Sequence, residues 1–255
     1  MKGKAVLFGL NYHHCKNDHL NGCINDVHNM ADYLTSTLGI KCATFTDDTD
    51  LEGTSGIGIV KRIYELALDS YREDLDFAVI HYSGHGSYMR DRNGDERDGR
   101  DECLVPSDCD TNGFLSDDYL NSVFTRFNPK TRVLCIFDSC HSGTVGDMKY
   151  SWEGLENLVV ENMNSKVSAK VMTLSGCLDK QTSADFFAQN SGMFAGALTD
   201  SLLMLLKTKP DLIKNVFKLV DELRVLLKER GFDQVPKLCT SYKLIKDKSF
   251  LPSFI

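Results

Sequence analysis

Short apolar runs alternate along the chain with longer segments whose apolar positions recur every three or four residues. Lys4 to Leu10, Cys42 to Thr46, Phe77 to Ile80, Val133 to Phe137 and Lys170 to Leu174 have the length and composition of buried strands. Between them, Asn25 to Leu38 repeats Val27, Met30, Ala31, Leu34 and Leu38 at helical spacing, and Ile59 to Tyr71 reads the same way. Ser116, Asp117 and Asp118 predict a helix start, with Tyr119 to Phe127 as the body and Asn128-Pro129 as the stop. Met193 to Leu206 and Asp211 to Lys228 are predicted helices, and short strands are expected near Cys103 to Val105 and over Leu238 to Leu244. Met89 to Arg100 reads as a loop dense in Asp, Arg and Gly, while Ser142 to Asn164 is polar, carries the only tryptophan and shows no clear period. Strands alternating with helices of this length predict an α/β fold, a mostly parallel central sheet flanked by helices on both faces. Ligand sites in such sheets lie beyond the carboxyl ends of the strands.

Two of the predicted strands end in polar, glycine-flanked tips: His81-Tyr82-Ser83-Gly84-His85-Gly86 and Asp138-Ser139-Cys140-His141-Ser142-Gly143. A thiol attacks as its thiolate, and an ordinary Cys with a pKa near 8.5 is mostly protonated at neutral pH. An imidazole that takes its proton makes it a competent nucleophile, so Cys140 and His85 are the candidate dyad. The N–H groups of Gly86 and Cys140 are the candidate donors for a tetrahedral oxyanion. Taken singly, either residue has an ordinary reading, since Cys is commonly buried and inert and a His beside a strand is commonly packed; it is the pairing at two strand tips that argues for chemistry.

Composition narrows the class. The 255 residues fall between one and two domains of about 150 each, and 42% hydrophobic with 25% charged is enough for a full core without staples. A net charge of −7 without long runs of like charge argues against a nucleic-acid surface or an anionic-membrane binder. Nine cysteines without a Cys-x-x-Cys pair suggest neither a disulfide framework nor a zinc ribbon. No apolar stretch approaches the roughly 18 to 20 residues of a membrane span, and the reading is a reduced, cytoplasmic compartment.

The strings HYSGHG and DSCHSG, with His85 lying 55 residues before Cys140, resemble a metacaspase of the caspase-like cysteine peptidase clan. Asn11-Tyr12, Gly22 to Val27, Asp95 to Glu102, Leu174 to Cys177, Gln181 to Ala184 and Pro236 to Leu238 extend the likeness over nearly the whole chain. The resemblance implies one caspase-like catalytic domain over residues 1–255, with 1–163 large-subunit-like and 164–255 small-subunit-like. It also implies an S1 pocket for a basic side chain made by Cys23, Asp26, Ser83 and Asp138. Carboxylates in a partly dry pocket pair with Arg or Lys and repel an acidic P1, so cleavage after Arg or Lys is expected. Without the resemblance, the commoner reading of Asp26 is an acidic residue in the first turn of its helix, and that of Cys23 is core.

Four aspartates, Asp101, Asp117, Asp118 and Asp147, match by position the calcium ligands of similar metacaspases, which implies Ca2+ as an activator. Calcium takes six to eight oxygen ligands, and carboxylates gathered from three loops repel one another unless a cation joins them. The plainer reading of Asp117 and Asp118 is that they cap a helix. Asp91, Asn93, Asp95 and Glu102 imitate an EF-hand loop but are rejected, because Glu96 stands where the sharp turn needs Gly and a strand-like run follows where a helix should. His141 is expected to point away from the site and His81 to be structural. Self-cleavage, common in the family, is expected at Lys149 or Lys166. Met1 is followed almost directly by the first strand and the halves are joined without a long insertion, so the compact, prodomain-free form is expected. The expected partners are proteins or peptides with Arg or Lys at P1, with no nucleic acid and no membrane, and the chain is expected to be a monomer. The alternative is a catalytically idle caspase-like scaffold that binds proteins.

Overall fold

The structure, a computed structural model, describes residues 2–15, 19–90, 100–139, 146–153, 157–163, 165–176, 185–188, 193–244 and 249–250. In chain order come β1 (Gly3–Gly9), α1 (Cys23–Leu38), β2 (Lys41–Thr46), α2 (Gly56–Arg72) and β3 (Phe77–Ser83). β4 (Gly86–Arg90), β5 (Arg100–Leu104), the single turn α3 (Cys109–Asn112) and β6 (Leu115–Ser116) lead into α4 (Asp117–Phe124) and β7 (Arg132–Asp138). The remainder is β8 (Tyr150–Glu153), β9 (Asn157–Val160), β10 (Lys170–Ser175), β11 (Asp185–Ala188), β12 (Met193–Gly196), α5 (Ala197–Thr208), α6 (Val216–Glu229) and β13 (Lys237–Thr240).

The central sheet has eight strands in the order β2-β1-β3-β7-β10-β13-β8-β9. The first five are parallel, and the last three are added antiparallel. Period-two alternation sorts its side chains between two cores. Phe77 and Val79 of β3 pack with α1, α5 and α6, whereas Ala78, Ile80 and Tyr82 pack with α2 and α4. Each fully buried side chain such as Val27, Leu34 or Leu202 contributes about 1.5–3 kcal/mol. β4, β5 and β6 form a separate small sheet.

Helix ends follow local chemistry. Ser55 caps α2 by accepting the Gly58 N–H, and Gly39, in a left-handed conformation with φ 64°, ends α1.

Four expectations need correction. The segment Met193 to Leu206 is not one helix: its first four residues pair with β11, and Gly196, extended at φ −74°, ψ 139°, starts α5. Asp211 to Lys228 is divided, because Pro210 opens a 3-10 turn and the Asn215 side chain caps α6 by accepting the Phe217 and Lys218 N–H groups. The helix predicted to run to Phe127 ends at Phe124. The polar, aperiodic stretch after Ser142 contains the β8–β9 hairpin, which extends the sheet beyond β13; Trp152 is buried there edge-on to Phe217 and donates its indole N–H to Thr240. A hairpin at the end of a sheet buries little apolar area, so it leaves little periodicity to read.

Candidate active site

Strands β3 and β7 lie side by side in parallel, with Ser83 opposite Asp138. His85 and Cys140 each stand two residues beyond those partners in sequence. Cys140 and His141 lie outside the described residues, whereas His85 lies within them.

The backbone of His85 is fixed at both ends. Its N–H donates to the Tyr12 hydroxyl at 2.9 Å, and its carbonyl accepts the Val105 N–H at 3.1 Å. The Tyr82 hydroxyl lies 2.9 Å from the same carbonyl and 3.0 Å from the Tyr12 hydroxyl, while Tyr12 donates to the Val105 carbonyl at 2.6 Å. Burial pushes both phenols far above their ordinary range, with Tyr82 and Cys23 adding to the rise at Tyr12, and Cys23 adding to it at Tyr82 against the lowering hydrogen bond with Tyr12, so they remain neutral donors. The Tyr12 ring also lies 4.8 Å from the imidazole, tilted by 33°. Gly84 between them has no room for a side chain, since a Cβ would fall 2.8 Å from both hydroxyls. Tyr12 itself has a left-handed backbone, φ 56°, held because the Asp47 carboxylate accepts the Asn11 and Tyr12 N–H groups. Such a conformation in a bulky residue is costly and persists only where its surroundings enforce it.

Asp26, Ser83 and Asp138 are brought together beneath this tip. Both carboxylates are buried, at 1% and 3% exposure. Asp26 accepts the Ser83 hydroxyl at 2.7 Å and the Gly196 N–H at 3.0 Å on each oxygen, and Asp138 accepts the Thr199 N–H at 2.8 Å. A Cβ at Gly196 would fall 2.4 Å from Asp138 Oδ2 and 2.6 Å from Asp26 Oδ2, so the two acids face each other across that glycine. Gly196 and Thr199 belong to the first turn of α5, twelve residues long, whose partial positive charge and unpaired N–H groups favour anions. Cys23, at the start of α1, is buried with its N–H donated to Asn11 Oδ1. Gly86, the other candidate oxyanion donor, begins β4 opposite Leu104.

His81 is structural, as expected. It is fully buried one layer behind the acids, its Nε2 3.1 Å from Thr199 Oγ1, and burial lowers its pKa to about 3.

A second acidic group lies along the small sheet. Asp101, Glu102, Asp117 and Asp147 are all buried, and Asp117 is pushed up to about 10 by burial first and then by Asp147, Glu102 and Asp101. Its Oδ1 accepts the Asp118 N–H, while its Oδ2 is buried with no hydrogen-bond partner. Asp118 is exposed. Asn121 of α4 donates to the Gly146 and Asp147 carbonyls, which ties the segment after Cys140 to the helix carrying Asp117.

The donor chemistry, all carboxylate oxygen with one left unpaired, fits a hard cation. Among the described residues, however, no three acidic, His or Cys groups already converge on one point, so the cluster has to close to hold an ion. The rejected EF-hand positions 91–95 lie outside the described residues, but Glu102 sits in a strand, as that rejection requires. The candidate cleavage residues differ in access: Lys166 is exposed, and Lys149 is half-buried over the Tyr150 ring.

Reasoning from residue patterns missed three groups: Glu102 in the acidic cluster, the tyrosine pair around His85, and the α5 N-terminus around the acids. Strand alternation would have sent adjacent Asp101 and Glu102 to opposite faces. Nothing local in the sequence marks a hydroxyl that binds backbone a strand away.

The family model of the metacaspase, peptidase C14 domain, matches residues 3–149. This chain belongs to the metacaspase family. Metacaspase-2 of Trypanosoma brucei brucei is 32% identical over 267 residues, covering 97% of this chain and 75% of that protein. Metacaspase-1 of Debaryomyces hansenii is 31% identical over 294 residues, covering 94% of this chain and 65% of that protein, so the chain spans about two thirds of that relative's length. Among solved structures, protein GSU0716 of Geobacter sulfurreducens aligns with a TM-score of 0.64 at 26% identity, covering 96% of this metacaspase and 95% of that chain. Caspase-1 of Spodoptera frugiperda aligns at 0.56 with 15% identity over 94% and 85% of the two chains, and shows the shared caspase-like fold.

Proposed function

We propose that this metacaspase is a calcium-activated cysteine endopeptidase that cleaves after Arg or Lys. His85 takes the Cys140 proton, and the thiolate adds to the scissile carbonyl. The imidazolium returns the proton to the departing amine, and water then hydrolyses the thioester. The observation that carries the specificity is the pair of buried carboxylates, Asp26 and Asp138, meeting at the first turn of α5 beneath the His85 tip. A guanidinium or ammonium entering there meets two acids held in place by backbone donors, whereas an acidic P1 is repelled.

Calcium is supported by the unpaired oxygen of Asp117 among Asp101, Glu102 and Asp147. Bound there, the ion would supply charge neutralisation. Asp147 on the segment after Cys140 and Asp101 and Glu102 on β5, which pairs with the strand leaving His85, would be its ligands, with Asp118 joining only by turning inward. Self-cleavage is proposed at Lys166 ahead of Lys149, because an extended segment must leave the body to enter a cleft and Lys166 is the more exposed.

The test is turnover of reporter peptides with Arg, Lys, Asn or Asp at P1, with calcium or a chelator, for wild type and Cys140→Ala. Cleavage after Arg and Lys alone, dependent on calcium and lost in Cys140→Ala, is expected. No turnover under any condition would leave the idle scaffold as the better reading. Intact mass after calcium addition checks self-cleavage, with new fragments expected only in wild type.

A further inference from the structure

The acidic pair accounts for one side of the histidine tip only. On the other, Tyr12, His14, Cys15, His85, Cys109 and Phe114 line a cavity of about 650 Å³, within the range of about 300–1,000 Å³ usual for ligand sites. The two features open on opposite faces of the sheet. Asp26 sits on α1 and Gly196 and Thr199 at the start of α5, the helices that cover one face. Tyr12 and Val105 belong to the core under α2 and α4, with Cys15 and Cys109 packed against it. Along the sheet, the loop after β1, which carries Tyr12, His14 and Cys15, flanks β3 on the side away from β7. His85 therefore stands between the strand end leading to Cys140 and this cavity.

A peptide whose P1 side chain enters the acidic pocket must carry the chain beyond the scissile bond across the tip. The imidazole that protonates the departing amine has to stand beside that amine. We propose that this cavity is the subsite for the residue following the scissile bond, and that it selects a large apolar or aromatic side chain there. This rests on the peptidase reading above.

The walls give the class. Phe114 presents an aromatic face at 40% exposure, backed by Val105 and the Tyr12 ring, and the Cys15 and Cys109 thiols act as small apolar groups, while His14, His85, Ser87 and Asp110 supply polar atoms around them. Burial first, then Asp110 and Cys15, raises the Cys109 thiol and keeps it neutral. Asp110, exposed at the rim, places a negative charge against an acidic newcomer.

The test uses peptides with one P1 Arg and P1′ Phe, Leu, Gly or Asp, cleaved by the full chain in calcium. Wild type should prefer P1′ Phe to Gly by about tenfold in kcat/KM, the usual worth of one apolar pocket contact. Phe114→Ala, at a partly exposed site, should cut that preference to about threefold or less while leaving the Arg-to-Lys ratio at P1 unchanged. Asp110→Asn should improve P1′ Asp by about threefold and leave P1′ Gly alone, as expected of a screened surface charge. Equal cleavage of all four peptides, or a loss in Phe114→Ala that is the same for every P1′ residue, would overturn the subsite and leave the peptidase reading standing. No cleavage after Arg by wild type would sink both together.

Discussion

Two groups of buried carboxylates lie in this molecule, and they are treated in opposite ways. Asp26 and Asp138 face each other closely, yet a hydroxyl and two backbone N–H groups point at them from Ser83 and the first turn of α5. Asp117 also begins a helix, but one of its oxygens is buried without a hydrogen-bond partner, and burial, followed by three neighbouring acids, drives its carboxyl to hold its proton. The first arrangement is finished before any ligand arrives and suits a pocket that must recognise one charge repeatedly. The second costs stability as it stands, which would suit control by a cation. On the proposed reading, the same residue type would serve as socket or as sensor according to whether the fold supplies donors.

That contrast is open to test. The largest effect is expected at Asp138. Asp138→Asn keeps an acceptor for the Thr199 N–H but removes the charge; kcat/KM toward Arg peptides should fall at least about a hundredfold, because a buried charge left without its partner costs about 2–5 kcal/mol. Thermal melting should stay within about 3 °C, and retained activity would place the basic side chain elsewhere.

Asp117→Asn should act in the reverse sense. The amide N–H that replaces the unpartnered oxygen is a donor for the neighbouring carboxylates, and satisfying a buried group worth about 1–3 kcal/mol raises the melting temperature of the calcium-free protein by a few degrees, at about 2–4 °C per kcal/mol for a chain of this size. Calcium should then no longer raise it further, whereas it does so in wild type; a calcium shift undiminished by the substitution would remove Asp117 from the site.

The finished socket has one weak layer, His81 behind Thr199. Its folded pKa of about 3 lies below the unfolded value of 6.5, so the unfolded chain takes up the proton first and stability is lost as pH falls below 6.5, by about 1.4 kcal/mol per unit. Urea melts of His81→Gln against wild type between pH 7 and pH 5 should show that slope reduced.

The smallest effect belongs to Tyr12→Phe, which keeps the ring beside His85 and removes the acceptor of its N–H. A loss of about fivefold in kcat with KM unchanged is expected from one hydrogen bond of about 1 kcal/mol, and an unchanged kcat would assign the hydroxyl to stability alone.

Most of the architecture was legible because buried parallel strands are continuous apolar runs and amphipathic helices repeat at 3.6. The five parallel strands and α1 and α2 were found within a few residues of their observed bounds. What escaped lies where no core face imposes a period: the β8–β9 hairpin, the single turn α3, and the breaks at Gly196 and Asn215, where one residue's capping role overrides a run of good helix formers. At the site, Asp26, Ser83 and Asp138 were named through family resemblance and are in contact or face one another in the structure. The tyrosines around His85, the helix end around the acids and Glu102 were not assigned these roles, since their partners are distant in sequence and come from backbone atoms that every residue possesses.

Ser83 and Asp138 are rung partners, with the two candidate reacting residues each two positions further on. The strand ends that lead to these two residues are therefore held in step by a ladder common to both strands. One residue deleted from β3 alone would pull His85 down a step and turn Ser83 toward the opposite face. A matching deletion in β7 would restore the rung, so length changes that are ruinous one at a time should compensate as a pair.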